Sequence, residues 1–578
     1  MKAYLEILVK YLANQRLRFA GLTVLMLCSI GLQVVNPQII RYFIDSAATG
    51  KPLGALTLAA GAFIGIALLQ QLTGVSATYV GEYVAWVATN ALREDLAAHC
   101  LYLDMTFHTE RSPGELIERI EGDMTDFSNF FSQLVIRVIG NILLMTGIIL
   151  TLFLVDWRLG IAFLVFAILT TLVLNSVRNI AVPAQKAHRD AYTELFGFLE
   201  ERLVGTEDIR SCGAVDFVLA GLYRLQTRIL RTWSKASLMQ LGVRAAAGLL
   251  LTAGFGLAFI SGYHLYHAGA ITLGTAYLIV HYTGLLARPI RELTQQVESL
   301  QNIGATVERM SELLRLDSKI TDGPGVAIPA GRPLALTFAD VSFAYSADKP
   351  ILQGLTFTVE PGKILGLLGR TGSGKTTLAR LIFRLYDAVE GTITLDETDI
   401  KDATLHELRH RVAYVTQDVQ LFQASVRDNI TFFDASVPDE RIMEVIEALE
   451  LSDWFQGLPK GLDTRLETGG RSLSAGEAQL LAFTRVFLRN PGFVVLDEAS
   501  SRLDPATEQL IERAIDRLLE HRSAIIIAHR LGTLGRADDV MILEDGQAVE
   551  YGNRQELLAD THSRFYTLHQ TGLEEMLA

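Results

Sequence analysis

The sequence predicts two fold classes in one chain: an α-helical membrane domain of six spans, followed by a soluble α/β domain built around a phosphate-binding loop. Three observations carry this. The first half holds six largely apolar runs, each near the ~20 residues that a helix needs to cross a bilayer. Residues Gly369 to Thr377 read GRTGSGKTT, in which Gly369, Gly374, Lys375 and Thr376 meet the pattern G-x-x-x-x-G-K-[ST]. The stretch GFVVLDEASSRLDP gives an apolar strand, Phe493 to Leu496, that ends in two carboxylates, Asp497 and Glu498.

Composition agrees with a hybrid of membrane and soluble parts. The 578 residues exceed one domain at about 150 residues each, and they are 50% hydrophobic and only 20% charged. Fifty-one basic residues against 64 acidic give a net charge of −13, which leaves no basic footprint for nucleic acid. Cys28, Cys100 and Cys212 are widely spaced and form no C-x-x-C, so they read as buried spectator thiols rather than a disulfide or zinc framework. The opening MKAYLEILVKYLANQRLRFA scatters charge where a cleavable signal needs an apolar core. It reads as an amphipathic helix at the membrane surface.

The spans are placed near Phe19 to Phe43, Leu56 to Val80, Phe131 to Val155, Leu159 to Val177, Val243 to Tyr266 and Leu273 to Leu293. Short connections such as VDWRLG join the members of each successive pair. Between the second and third, and the fourth and fifth, lie roughly 50 to 65 residues of charged, helix-forming sequence, far beyond an ordinary connection. Turn signals in FHTERSPGELIERIEGD and LVGTEDIRSCGAVD make each projecting piece two long helices with a bend at its tip. Six spans put the N-terminus, the projections and the second half on one side, which ATP chemistry makes cytoplasmic. Lys2, Lys10, Arg16 and Arg18 before the first span agree with the positive-inside rule. Pro37 reads as a kink. Polar residues inside the spans (Gln33, Gln70, Gln71, Gln133, Arg137, Asn141, Arg244 and His281) are expected to line an aqueous path, with Arg137 the first candidate for substrate contact.

From about Leu316, the stretch DSKITDGPGVAIPAGRP reads as a Gly- and Pro-rich linker, which divides the chain into a membrane domain at 1–315, a linker at 316–335 and a nucleotide-binding domain at 336–578. The strand KILGLL feeds the loop formed by Gly369, Arg370, Thr371, Gly372, Ser373, Gly374, Lys375, Thr376 and Thr377. Its glycines let successive N–H groups converge on phosphate oxygens, and the helix that follows adds its positive end. Lys375 is expected to reach the terminal phosphates of ATP, with Mg²⁺ held by the Thr376 hydroxyl and by Asp497. Glu498 is expected to polarise the attacking water.

The whole chain resembles a subunit of an ATP-binding cassette (ABC) exporter, a membrane domain of exporter type fused ahead of a P-loop nucleotide-binding domain of ABC type. Beyond the loop and the strand-end acids, Gln417 in VAYVTQDVQLF matches the family's Q-loop, which senses Mg²⁺. SLSAGEAQ matches the signature, with Ser474, Gly476 and Glu477 at a second anion site. SSRLDP matches the D-loop, His529 in IIIAHRL the switch histidine, and Tyr345 in VSFAYS the aromatic that stacks on adenine. The resemblance implies catalytic roles for Glu498, His529 and Gln417. It also implies a dimer, because the signature of one subunit closes over ATP bound to the other.

The signature departs from the family's Leu-Ser-Gly-Gly-Gln at Ala475 and Glu477, and Arg502 replaces a small D-loop residue. A Glu477 charge ~8 Å from a phosphate, at an effective dielectric of ~20, would oppose binding by roughly 2 kcal/mol. An intact Glu498 joined to an altered signature resembles one half of heterodimeric exporters, which puts a heterodimer ahead of a homodimer. The expected activity is ATP hydrolysis coupled to alternating access at the inner (plasma) membrane, exporting an amphipathic small molecule, lipid or peptide. The alternatives are import of metal chelates by the same fold, and an ATP-gated channel or regulatory subunit.

Overall fold

The computed structural model describes residues 10–125, 127–128, 134–346, 349–417, 419–467, 473–497, 505–528 and 531–571. The chain forms two compact units. One comprises Met1–Leu101 with Pro113–Leu316, and the other Tyr102–Ser112 with Asp317–Ala578.

The first unit is a bundle of long helices. In chain order they are α1 (Arg16–Ala48), α2 (Leu53–Tyr102), α4 (Gly140–Val155), α5 (Trp157–Val204), α6 (Val215–His267) and α7 (Leu273–Leu314); the short α3 (Met105–Glu110) belongs to the second unit. At about 1.5 Å per residue, α2 and α6, with 50 and 53 residues, run ~75 to 80 Å, so each is a span with a long extension. The bend expected at the tip of the second extension is present: α5 stops at Val204, and a single turn, Thr206–Ser211, precedes Gly213, whose φ is +62°. Pro37 lies buried inside α1 without ending it. Its missing N–H removes the helical donor of the Gln33 carbonyl one turn back, and the next carbonyl, that of Val34, accepts from the Tyr282 hydroxyl at 2.7 Å. A π-helical turn, Leu134–Ile139, leads into α4.

Five helices among the described residues are long and apolar enough to cross a membrane, over Lys10–Ala48, Leu53–Tyr102, Arg137–Val155, Trp157–Val204 and Val215–His267. The sixth expected run, Leu273 to Leu293, is helical within α7 but falls below that hydropathy. Tyr277, His281, Tyr282 and Arg288 dilute it. The physical reason is position. Leu278, Ile279, Tyr282 and Leu286 are fully buried in the bundle core, so this helix meets protein more than lipid and has less need of a uniformly apolar surface. The thiols also differ from expectation, since Cys100 is buried but Cys28 and Cys212 are exposed.

The second unit carries two sheets. A four-stranded antiparallel sheet has the order β2-β1-β4-β5, from β1 (Leu336–Ser346), β2 (Lys349–Val359), β4 (Glu390–Leu395) and β5 (Thr398–Asp399). A six-stranded sheet has the order β10-β9-β3-β8-β7-β6, from β3 (Ile364–Leu368), β6 (Val412–Val415), β7 (Phe493–Asp497), β8 (Ser523–Ile527), β9 (Asp539–Glu544) and β10 (Gln547–Asn553). All its pairings are parallel except that of β10 with β9. Both faces of the parallel part are covered, which explains the unbroken apolar runs: Phe493 and Val495 pack into one core, Val494 and Leu496 into the other. The Gly- and Pro-rich stretch after Leu316 is strapped down rather than free. Gly323, Gly325 and Val326 donate N–H bonds to the carbonyls of Ala403 and Asp402, and Ile328 is buried.

Candidate functional site

Parallel strands place their C-terminal ends along one edge of a sheet, where α/β proteins bind ligands. The register here is explicit. Leu367 and Asp497 both pair with Ile527 from opposite sides, and Leu496 pairs with Val415. The loop after β3, the acid ending β7 and the segment after β6 therefore share one edge, with Asp497 about 10 Å across two strand spacings from Leu367.

The phosphate loop follows β3 directly, and α8 (Lys375–Ile382) starts at its end. Gly369 and Gly374 have φ of +153° and +109°, and a Cβ on Gly369 would sit 2.3 Å from the Leu543 carbonyl oxygen. Only glycine fits that approach. Lys375 is buried, and its ammonium donates to the Gly369 and Arg370 carbonyls at 2.6 and 3.0 Å. The Ser373 hydroxyl is buried with no hydrogen-bond partner. A buried polar atom left unpaired in a glycine-rich turn suits an external oxyanion, so the loop fits a phosphate. Thr371, Gly372 and Thr376 are exposed, and Thr377 is buried.

Tyr345 ends the antiparallel sheet near this loop. Its hydroxyl lies 3.2 Å from the Thr377 Oγ1 and accepts from Arg380 at 3.1 Å. Edge contacts with Phe343 and Tyr386 hold its ring, which remains 42% exposed, enough to offer a face for stacking. Tyr386 was not read from the sequence. Its hydroxyl is 3.0 Å from the Thr109 Oγ1, which ties α3 to the aromatic cluster.

Asp497 is buried at the end of β7 and accepts a 3.1 Å bond from the Tyr414 hydroxyl. Burial, and then the adjacent Asp497 carboxylate, push the Tyr414 phenol above its ordinary range, so it keeps its proton and keeps donating. Gln417 is exposed just beyond β6. Glu498 and His529 lie outside the described residues.

Ser474 is the N-cap of α9 (Ala475–Arg489), and Gly476 is buried in its first turn. Glu477 is turned back onto that helix. Its Oε2 accepts from the Ser474 N–H at 2.7 Å, the Ser474 hydroxyl accepts from the Glu477 N–H at 3.3 Å, and the Trp454 indole donates to its Oε1 at 3.2 Å. This is a capping box. The carboxylate expected to repel a phosphate is occupied in closing the helix start.

Arg485 on α9 is a second residue missed in the sequence. It donates to the carbonyls of Asn429 and Gln420, fixing the segment after Gln417 to the signature helix. Burial, followed by the neighbouring Arg489 charge, lowers its guanidinium to about 10.

In the membrane unit, Arg137 is exposed on the π-helical turn, in electrostatic range of Glu292, which accepts from Asn141 at 2.7 Å. It does not line the 270 Å³ cavity among α5, α6 and α7. Arg244 does.

A family profile described as the ABC transporter transmembrane region matches residues 19–290, and one described as ABC transporter matches 352–501. The chain is 30% identical to the uncharacterized ABC transporter ATP-binding protein YknV of Bacillus subtilis over 539 residues, 92% of this chain and 89% of that one. It is 28% identical to the ATP-dependent lipid A-core flippase of Chromobacterium violaceum, over 90% of this chain and 89% of that one. A solved structure of a bacterial Atm1-family ABC exporter with ATP bound superposes with a TM-score of 0.81 at 25% identity, covering 96% of this chain and 99% of that one. With the phosphate loop, the strand-end aspartate and the long membrane helices in one polypeptide, the chain belongs to the ABC transporter family: it is an exporter-type half-transporter whose membrane region precedes an ATP-hydrolysing domain.

Proposed function

We propose that this chain is one subunit of a heterodimeric exporter that uses ATP and Mg²⁺ to move an amphipathic substrate out of the cytoplasm, with its second unit on the cytoplasmic face of the inner (plasma) membrane. The observation that supports an amphipathic substrate is the cavity among α5, α6 and α7, whose lining combines Phe166, Leu174 and Leu251 with threonines and arginines. The flippase relative is named for a lipid, and the solved relative is an exporter. Both favour export over import of metal chelates or an ATP-gated channel.

Each residue then has a defined task. Tyr345 stacks on adenine, the N–H groups of the loop and Lys375 grip the phosphates, and Ser373 donates its free hydroxyl to a phosphate oxygen. Mg²⁺, when bound, supplies positive charge to the terminal phosphates; Thr376, Gln417 and Asp497 would hold it. Tyr414 keeps the Asp497 carboxylate oriented. Glu498 takes the proton of the attacking water, and His529 contacts the terminal phosphate. Nucleotide binding closes two such units on each other, and hydrolysis releases them.

The heterodimer reading rests on Ala475 and Glu477. Ala475 places a methyl group where glycine would let the backbone approach a phosphate, so this signature offers a partner's ATP less than a Gly-Gly-Gln sequence would. The test is to purify the chain alone and with a neighbouring-gene ABC subunit, then compare ATPase rates and nucleotide occupancy after trapping. Unequal sites in the pair, altered at the partner's site by Ala475→Gly with Glu477→Gln, are expected. Full activity from this chain alone with two equivalent sites overturns the heterodimer.

A further inference from the structure

The segment Leu405–Arg411 reads LHELRHR and forms a helix whose outer face carries two imidazoles, at His406 and His410. Positions four apart lie one above the other on a helix, with Cβ atoms about 5 to 6 Å apart. The two rings come together accordingly, with centres 4.5 Å apart and planes inclined at 50°. Two imidazoles bound to one ion at about 2.0 to 2.1 Å, with an angle of roughly 90 to 110° at the metal, have ring centres about 4.5 to 5.2 Å apart. The observed spacing falls in that range, and the inclination is not that of a parallel stack. Both side chains are exposed, and among the described residues neither ring makes a hydrogen bond or pairs with a carboxylate.

The pattern His406-Glu407-x-x-His410 is that of helical zinc sites in which the glutamate serves as a base. Here Glu407 pairs with Arg411 at 2.7 Å, so it neutralises a nearby cation and is not free to act as a base. Chelation is what remains. Burial of part of the ring, then the neighbouring His406, Arg489 and Arg411, lowers the basicity of His410 below the ordinary histidine value, which opens its nitrogens to a metal rather than a proton at neutral pH. The backbone that carries the pair is fixed before any ion arrives. Thr404 caps the helix by accepting from the Glu407 N–H at 3.2 Å, Leu408 is fully buried, the Leu405 N–H donates to Asp322 at 2.7 Å, and the Arg411 guanidinium donates to the Ile328 carbonyl at 3.2 Å. Closing a chelate therefore orders two side chains and no backbone. Asp322 and Ile328 belong to the strapped stretch after Leu316, so this helix is the post to which that stretch is tied at both ends.

We propose that His406 and His410 form an exchangeable site for a divalent transition cation of the zinc, nickel, cobalt or copper class. Each imidazole gives one ring nitrogen, and water fills the other positions, because among the described residues no third histidine, cysteine or carboxylate joins the pair. Structural zinc sites close with four protein ligands, whereas a pair leaves the ion free to exchange. Nitrogen ligands select these ions over Mg²⁺ and Ca²⁺, which take oxygen, so the Mg²⁺ that accompanies ATP does not compete. An ion held across one helical turn locks that turn, and with it the anchor of the stretch after Leu316 and the entry to β6, beyond which Gln417 lies. The competing account makes the histidines an ordinary solvated pair. The site stands apart from the exporter reading, because it uses no residue of the ATP site or of the membrane unit.

The intact protein in nanodiscs, stripped with a chelator and then kept in excess Mg²⁺, is titrated with Zn²⁺ and with Ni²⁺, and with Ca²⁺ as the control. Wild type should bind one equivalent of either transition ion that His406→Ala and His410→Ala bind about tenfold more weakly or worse, at least the cost of losing an outer-shell partner. Comparison with the variants subtracts any binding at the exposed Cys28 and Cys212 or at other histidines. Hydrogen exchange across 405–411 should slow on adding Zn²⁺ to wild type and stay as it was in the variants. Metal-free melting temperatures equal to that of wild type certify folding; where alanine lowers one, His406→Gln and His410→Gln, which keep a polar side chain without a metal-binding nitrogen, repeat the comparison. The same Zn²⁺ affinity in wild type and variants, Ca²⁺ displacing Ni²⁺ at equal concentration, or exchange across 405–411 unmoved by the ion overturns the site.

Discussion

The Lys375 ammonium, bonded to the Gly369 and Arg370 carbonyls, is held at the mouth of the loop. Lys375→Ala should weaken nucleotide binding by about ten- to a hundredfold, the worth of a charge-assisted contact; a fluorescent ATP analogue measures it. Glu477 behaves differently from its charge alone, because both carboxylate oxygens are engaged. Glu477→Ala should cost about 1 kcal/mol through the lost cap, while Glu477→Gln should cost less, since its one carbonyl oxygen still completes the box although its NH2 cannot accept from the Trp454 indole. Thermal melts of the two variants check this, and equal destabilisation would remove the capping role. The motif-bearing residues were legible because their chemistry is local: the glycine spacing, Lys375 and Thr376 are consecutive, and Asp497 ends a visible strand. Tyr386 and Arg485 were not. An arginine bonded to residues 56 positions earlier exists only once distant segments meet.

Between residue and domain, the long projecting helices were readable from length alone, since no ordinary connection takes 50 residues. At two elements the structure adds what the sequence does not carry. Glycine and proline after Leu316 mark irregular backbone, which is compatible with tight packing, and there the N–H groups found carbonyl partners. The short α3 joins the second unit, although the sequence places it in the membrane half. Asp104 is the anchor: it caps α3 by accepting from the Thr106 N–H at 2.9 Å, and its other oxygen accepts from the Lys319 N–H at 2.7 Å. Asp104→Ala should cost about 1 to 2 kcal/mol and raise hydrogen exchange across 102–112. Unchanged exchange there would show that Thr109 and Tyr386 suffice to hold the segment.

For the whole transporter, Glu498→Gln with the partner present should keep ATP binding and lower turnover by roughly a hundredfold or more, since the attacking water loses its base. Near-normal ATPase activity would remove Glu498 from that role. Movement in the membrane half is constrained by a smaller feature. Asp45, near the end of α1, accepts from the Gly274 N–H at 2.8 Å and the Thr272 hydroxyl at 2.7 Å, at the start of α7, and a Cβ on Gly274 would sit 2.4 Å from the Arg41 carbonyl oxygen. The two helices are thus clasped by fixed polar bonds over the first ten residues of α7, since the Tyr282 hydroxyl also donates to the Val34 carbonyl and accepts from the Gln38 amide on α1. A clasp at one end of a rod is a pivot. Beyond Tyr282 the helix runs on to Leu314, ~48 Å at about 1.5 Å per residue, so a swing of about 10° moves its far tip by ~8 Å while the clasped end barely stirs. Leverage of that kind turns a slight rotation into a gap the width of a lipid head.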